Sequence, residues 1–294
     1  MKTNVAVTGL SLLLIVALGF AGQTEAKPQA KSPFQAPFSV VKVRDNIYLG
    51  QGGMGANTGF YVGAKAILCI DSKMTSEASE QEMAAIARIS PLPVTTLILT
   101  HSDLDHVNGL AGFPKGIKVI SQANARKDLE ASFSVPELSP LLGYLPAQTF
   151  TDKLVLEFEG QTVELLNFGP AHTNGDAVVF FPKEKLAFLG DLIAPGRDPL
   201  IHLQKGGSSF GLVKTLKDVL RLDADIFLTG HSDPVTKAQI QESIASIEAK
   251  QAKVKALVAE GKTLDEVKAA FGVKEGGRWP SLVEIVYREL TEKK

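Results

Sequence analysis

The stretch Val94-Thr95-Thr96-Leu97-Ile98-Leu99-Thr100 runs directly into His101-Ser102-Asp103-Leu104-Asp105-His106. The first seven residues are all β-branched or leucine and read as a buried strand. Four of the six that follow are histidine or aspartate. The same arrangement recurs in shorter form at three later places. Thr162–Phe168 leads into Gly169-Pro170-Ala171-His172, Leu186–Leu189 into Gly190-Asp191, and Ile226–Thr229 into Gly230-His231. Four of the chain's five histidines therefore follow an apolar, strand-like run. Scattered surface histidines have no reason to gather at strand ends. Neutral imidazole and carboxylate oxygen are the donors that bind a borderline-hard divalent ion, so the pattern predicts an open metal site.

Working outward, strand-like segments come first, at Phe38–Arg44, Ile47–Gly50, Gly59–Val62 and Ala66–Ile70. A helix is expected over Glu77–Ile89, with Met83, Ile86 and Ala87 on one face and Pro91 and Pro93 ending it. Beyond the histidine cluster come a short strand at Ile117–Ile120 and a helix at Gln122–Glu130. Residues 131–150 keep no period and carry Pro136, Pro140 and Pro146, which suits either a wall of a binding site or a loop packed on the core. The second half repeats strands at Leu154–Phe158, Thr162–Phe168, Ala177–Phe181, Leu186–Leu189 and Ile226–Thr229, with a helix at Phe210–Leu220. The remainder reads as helix. Ile240, Ile244, Ile247, Val254, Leu257 and Val258 recur at helical spacing. Thr263 with Glu266 forms a capping box, and Pro280 opens a last helix. Strands flanked by helices in this order predict an α/β (α+β) fold, with two mixed sheets covered by helices on both outer faces.

The composition is that of an ordinary globular protein: 294 residues, 45% hydrophobic and 21% charged. A formal net charge of −1 gives no electrostatic case for a nucleic-acid partner. Lys2, the apolar stretch Leu10–Phe20 and the small residues up to Ala26 describe a leader cleaved near Ala26. Residues 27–37 then form a flexible lead-in, and 38–294 a single domain. The expectation is a periplasmic or secreted protein with no stable membrane insertion once the leader is removed. A lone cysteine, Cys69, excludes an internal disulfide; it lies in an apolar run and reads as a core residue.

Other chemistries fit less well. Asp103-x-Asp105 alone resembles a magnesium motif but leaves the histidines unexplained. No Gly-x-Ser-x-Gly nucleophile elbow occurs, and neither Gly50-Gln51-Gly52-Gly53 nor Gly206-Gly207-Ser208-Ser209 has the context of a phosphate loop.

In these motifs the chain resembles the metallo-β-lactamase superfamily, whose fold is an αββα sandwich. The family's leading motif is His-x-His-x-Asp-His; here its second histidine is Asp103. Gly169-Pro170-Ala171-His172-Thr173-Asn174-Gly175-Asp176, Gly190-Asp191 and Gly230-His231 match the later motifs. The resemblance implies two divalent ions, zinc first, with manganese or iron as alternatives. It assigns His101, Asp103, His172 and Asp191 to one ion. Asp105, His106, Asp191 and His231 go to the other, with Asp191 bridging. A carboxylate at 103 keeps a donor, adds a negative charge and moves preference towards the harder metals.

The resemblance further implies hydrolysis of an ester, lactone, thioester or amide small-molecule substrate by a hydroxide held at the metals, with Asp105 as the catalytic carboxylate. β-Lactams fall within that range, but a bridging Asp191 looks more like the glyoxalase-II and lactonase branches. An iron-dependent redox or sulfur-handling role and a non-catalytic metal or ligand binder are the alternatives. Asp71, Asn57 and His202 are candidates for supporting a ligand or touching substrate. The oligomeric state is not legible.

Overall fold

The computed structural model describes residues 37–274 and 276–292. The expected leader, and all but the last residue of the lead-in, lie outside the described residues. The first half builds β1 (Ser39–Arg44), β2 (Ile47–Gln51), β3 (Thr58–Val62), β4 (Ile67–Ile70), α1 (Ser76–Ile89), β5 (Val94–Ile98), α2 (Leu104–Val107), β6 (Lys118–Gln122), α3 (Ala123–Phe133) and β7 (Gln148–Phe150). Its strands form one sheet in sequence order. The pairings from β1 to β4 are antiparallel and those from β4 to β7 parallel. The second half builds β8 (Lys153–Phe158), β9 (Gln161–Leu166), β10 (Val178–Phe181), β11 (Leu186–Phe188), α4 (Ser209–Val219), β12 (Ile226–Leu228), α5 (Lys237–Ala259), α6 (Leu264–Ala270) and α7 (Leu282–Thr291). Its sheet runs β12-β11-β10-β9-β8, antiparallel except between β11 and β12.

Successive side chains of a strand point to opposite faces, and this alternation sorts the core into three apolar layers. On β4, Leu68 and Ile70 face the second sheet, while Ile67 and Cys69 face α1 and α3 with Ile86, Leu129 and Phe133. On β10, Val179 and Phe181 meet the first sheet, while Val178 and Phe180 lie under α4 and α5 with Leu212, Leu216, Ile240 and Ile244. The result is helix, sheet, sheet, helix, as the sequence predicts. Burying a phenylalanine such as Phe188 between the sheets contributes roughly 2–3 kcal/mol, so the inter-sheet layer is a large stabilising term.

The differences from expectation are local. On α1 the buried face is Ala78, Glu82, Ala85 and Ile86; Ala87 is exposed. Residues 139–144 form a 3-10 helix whose Leu141 and Tyr144 pack against the first sheet's helical side, and Tyr144 donates to Phe113 O at 3.1 Å. That segment is core packing, and the three-residue strand β7 after it is too short to leave a period in the sequence. The last helix is capped by Ser281 rather than opened by Pro280. Thr263 and Glu266 do form the capping box. No helix among the described residues is long and apolar enough to cross a membrane.

Candidate metal centre

The sheets place their polar turns together at one end. β5 delivers His101 and Asp103, and the short helix α2 carries Asp105 and His106. His172 follows β9, Asp191 follows β11 and His231 follows β12. Backbone hydrogen bonds tie these turns together, within each sheet and between the two. Ala177 N–H donates to Thr100 O at 2.7 Å, Gly230 N–H to Gly190 O at 2.9 Å, and Ala56 N–H to Asp105 O at 3.0 Å. Gly230 is there because nothing larger fits: a Cβ on it would lie 2.2 Å from Asp191 Oδ1 and 2.7 Å from His106 Cε1.

All seven expected metal ligands converge. His106 Nε2 lies 3.1 Å from Asp191 Oδ1, and His231 Nε2 lies 3.2 Å from Asp191 Oδ2 and 3.1 Å from Asp105 Oδ2. Asp103 Oδ2 lies 3.1 Å from His172 Nε2 and 3.8 Å from His101 Nε2. A tetrahedral ion with bonds of about 2.0–2.2 Å sets its donors roughly 3.3–3.6 Å apart, so these spacings suit a shared cation. The donors fall into three groups: His101 with His172 and Asp191, Asp103 with His172 and His202, and Asp105 with His106 and His231.

Burial tests whether a metal belongs there. His101 Nε2 is buried with no hydrogen-bond partner, and the buried His106 Nε2 and Asp191 Oδ1 face only each other, 3.1 Å apart. An unpaired buried polar atom costs about 1–3 kcal/mol, and an orphaned imidazole nitrogen beside a buried imidazole–carboxylate pair calls for a common partner. Charge makes the same demand. Burial disfavours protonation of His172, yet its hydrogen bond to Asp103 and the fields of Asp176 and Asp191 carry its pKa up to about 9. Burial likewise opposes protonation of His231, and its hydrogen bonds to Asp105 and Asp191 raise it to about 9. His101 goes the other way: burial, then the neighbouring His106, hold it well below the usual imidazole range. The carboxylates thus seek positive charge that only a proton or a cation can supply, and the residues fit a metal.

The outer partners are specific. Asp71 is buried; its Oδ2 lies 2.8 Å from His106 Nδ1, and it accepts from Thr100 N–H and Thr100 Oγ1, each at 2.7 Å. It takes a left-handed backbone conformation at φ 59°. Asn57 sits against the turn that carries His231. Its Nδ2 donates to Thr229 O at 3.0 Å and Ser232 O at 2.9 Å, clamping the turn that carries His231. His202, a loop residue, is buried with Nε2 2.8 Å from Asp103 Oδ2.

Two neighbours went unseen in the sequence. Lys205 Nζ lies 2.7 Å from Asp103 Oδ1. Trp279, 48% exposed, sets its ring edge-on to His202 at 5.3 Å between centroids. The aspartate at 103 is a signal that some cation must sit nearby, but nothing in the sequence locates it.

Comparison with known proteins agrees with this geometry. The model of the metallo-beta-lactamase superfamily matches residues 52–231. The chain is 26% identical over 173 residues to the 2,4-dinitroanisole O-demethylase subunit alpha of Nocardioides sp., covering 58% of this chain and 50% of that protein. It is 27% identical over 168 residues to the hydroxyacylglutathione hydrolase GloC of Haemophilus influenzae, covering 54% and 79%. The stereoselective inverting sec-alkylsulfatase Pisa1 from Pseudomonas sp. superimposes with a TM-score of 0.71 at 14% identity, over 86% of this chain and 50% of that one. The chain therefore spans half the length of the demethylase subunit and of the sulfatase. The matched residues run from the glycine-rich turn before β3 to His231 and take in every turn of the centre, and the chain belongs to the metallo-beta-lactamase superfamily.

Proposed function

We propose that this protein is an exported metal-dependent hydrolase that holds two divalent ions and cleaves an ester, lactone, thioester or amide. The carrying observation is the convergence of seven histidine and aspartate side chains, among them His101 with a buried Nε2 that has no hydrogen-bond partner. The hydroxyacylglutathione hydrolase relative supports a thioester within that range. Export rests on the leader-like composition of residues 1–26.

When bound, the ions would polarise the scissile carbonyl and lower the pKa of water. His101, Asp103 and His172 would hold one, Asp105, His106 and His231 the other, with Asp191 available to both. The side chains of Asp105 and His231 are 25% and 24% exposed, against 12% for Asp103 and 15% for Asp191, so the centre opens on their side. Burial opposes ionisation of Asp105, but its hydrogen bond with His231 and the field of His106 hold its carboxyl below the usual range. It is a carboxylate at neutral pH and serves as proton acceptor for an incoming water. Asp71 fixes the His106 ring, and Asn57 fixes the turn of His231, so both rings keep their aim as substrate enters.

Zinc is the first expectation. Three carboxylates, Asp103, Asp105 and Asp191, form a harder donor set that also admits manganese or iron, and an iron centre would favour a redox reading. Elemental analysis of the purified protein, paired with turnover on ester, lactone, thioester and β-lactam substrates, decides. About two ions per chain with chelator-sensitive hydrolysis is expected. Metal-free protein with undiminished turnover, or bound metal with no turnover on the panel, would overturn the reading.

A further inference from the structure

The carboxylate at 103, where the family motif has imidazole, leaves one half of the centre a nitrogen donor short, and a single loop brings partners to it. His202 comes from the segment between β11 and α4. Its N–H donates to His172 O at 2.9 Å, and its carbonyl accepts from Lys205 N–H and Gly207 N–H, each at 2.9 Å. The Gln204 side-chain amide lies 3.0 Å from Nδ1, leaving Nε2 aimed inward, 2.8 Å from Asp103 Oδ2. The ring is buried and packs edge-on against His172, 4.9 Å between centroids. Three residues on, Lys205 Nζ reaches the other oxygen of Asp103 and also donates to Ser102 O at 3.2 Å and Ser102 Oγ at 3.1 Å. The same loop gives Leu200 O, 2.8 Å from His172 Nδ1. One loop thus aims His172, supplies His202 and places a cation on Asp103.

We propose that His202 is a metal ligand, restoring a third imidazole beside His101 and His172, and that Lys205 offsets the charge Asp103 adds. The independent pointer is His101 Nε2, a buried atom with no hydrogen-bond partner that lies 3.8 Å from Asp103 Oδ2, the same oxygen that His202 Nε2 approaches. Asp103 with Lys205 then approximates a neutral donor, and His202 returns the soft nitrogen that favours zinc. This rests on the metal-dependent reading above.

The test uses the whole chain with histidine imidazoles labelled with nitrogen-15 and loaded with cadmium-113. Direct nitrogen–cadmium couplings from three histidines to one ion and two to the other are expected. Two and two, with His202 uncoupled, overturns the assignment while leaving a dinuclear centre in place. A chain that binds no cadmium removes the metal reading itself. Cobalt(II) titration of His202→Gly should show one tight equivalent and a second weakened about 100-fold or more, beyond the roughly 10–100-fold of an outer partner. Added imidazole should restore the second equivalent and its visible spectrum. Two unweakened equivalents in His202→Gly, or no restoration by imidazole, would sink the proposal.

Discussion

The two halves of the centre are held by different means. Asp105 and His106 stand on the short helix α2 after β5, and Asp191 and His231 on the turns after β11 and β12, with buried Asp71 behind one ring and the Asn57 clamp behind the turn of the other. His172, Asp103 and His202 lean instead on the loop from Leu200 to Gly207, through Leu200 O, Gln204 and Lys205. The first arrangement is rigid because the sheets themselves are its scaffold. In the second, one loop surrounds Asp103 with His202 and Lys205. A substituted metal site need not be a weakened one when a neighbouring loop can supply charge and nitrogen.

That contrast can be broken or sharpened by substitution. Asp191→Ala removes the one side chain shared by both halves. It should lower kcat/KM by about a thousandfold, near 4 kcal/mol, with loss of both ions by elemental analysis. Full activity would sink the dinuclear reading. Asp71→Ala should be the next largest. It strands the Thr100 amide and the His106 ring, so denaturant unfolding should show a loss of about 2–5 kcal/mol. Metal affinity in the strand-built half should fall about 10–100-fold. Gly230→Ala drives a methyl into Asp191 Oδ1. It should cost about 1–3 kcal/mol of stability and weaken metal binding, measured by thermal melts with and without chelator. Lys205→Met should have the smallest effect: nearly unchanged stability, and about tenfold weaker zinc binding by competition with a chelating dye, confined to the loop-built half. Equal weakening of both ions would show that the halves are not independent.

The sequence shows the layers because strands buried between other elements carry unbroken or alternating apolar runs, as in Val94–Thr100 and Val178–Phe181. It shows the strand-built half of the centre for the same reason: each polar turn directly follows such a run. The loop-built half was legible only in outline. His202 stands out as a histidine, but its approach to Asp103 depends on backbone contacts to His172 and Gly207 that no spacing rule encodes. Lys205 is an ordinary surface type and Trp279 the chain's single tryptophan, and both acquire meaning here only from their neighbours. Residues 131–150 were ambiguous because proline-broken apolar segments look alike whether they line a cavity or fill a core; Leu141 and Tyr144 resolve this towards the core.

The cross-sheet origin of the ligands has a mechanical consequence. His101, Asp105 and His106 belong to the seven-stranded sheet, while His172, Asp191 and His231 belong to the five-stranded one. An ion gripped by both would act as a removable rivet between segments far apart along the chain but adjacent in space. Its binding energy then adds to the cohesion of the sandwich, and metal scarcity would be felt as lowered melting temperature as well as lost chemistry.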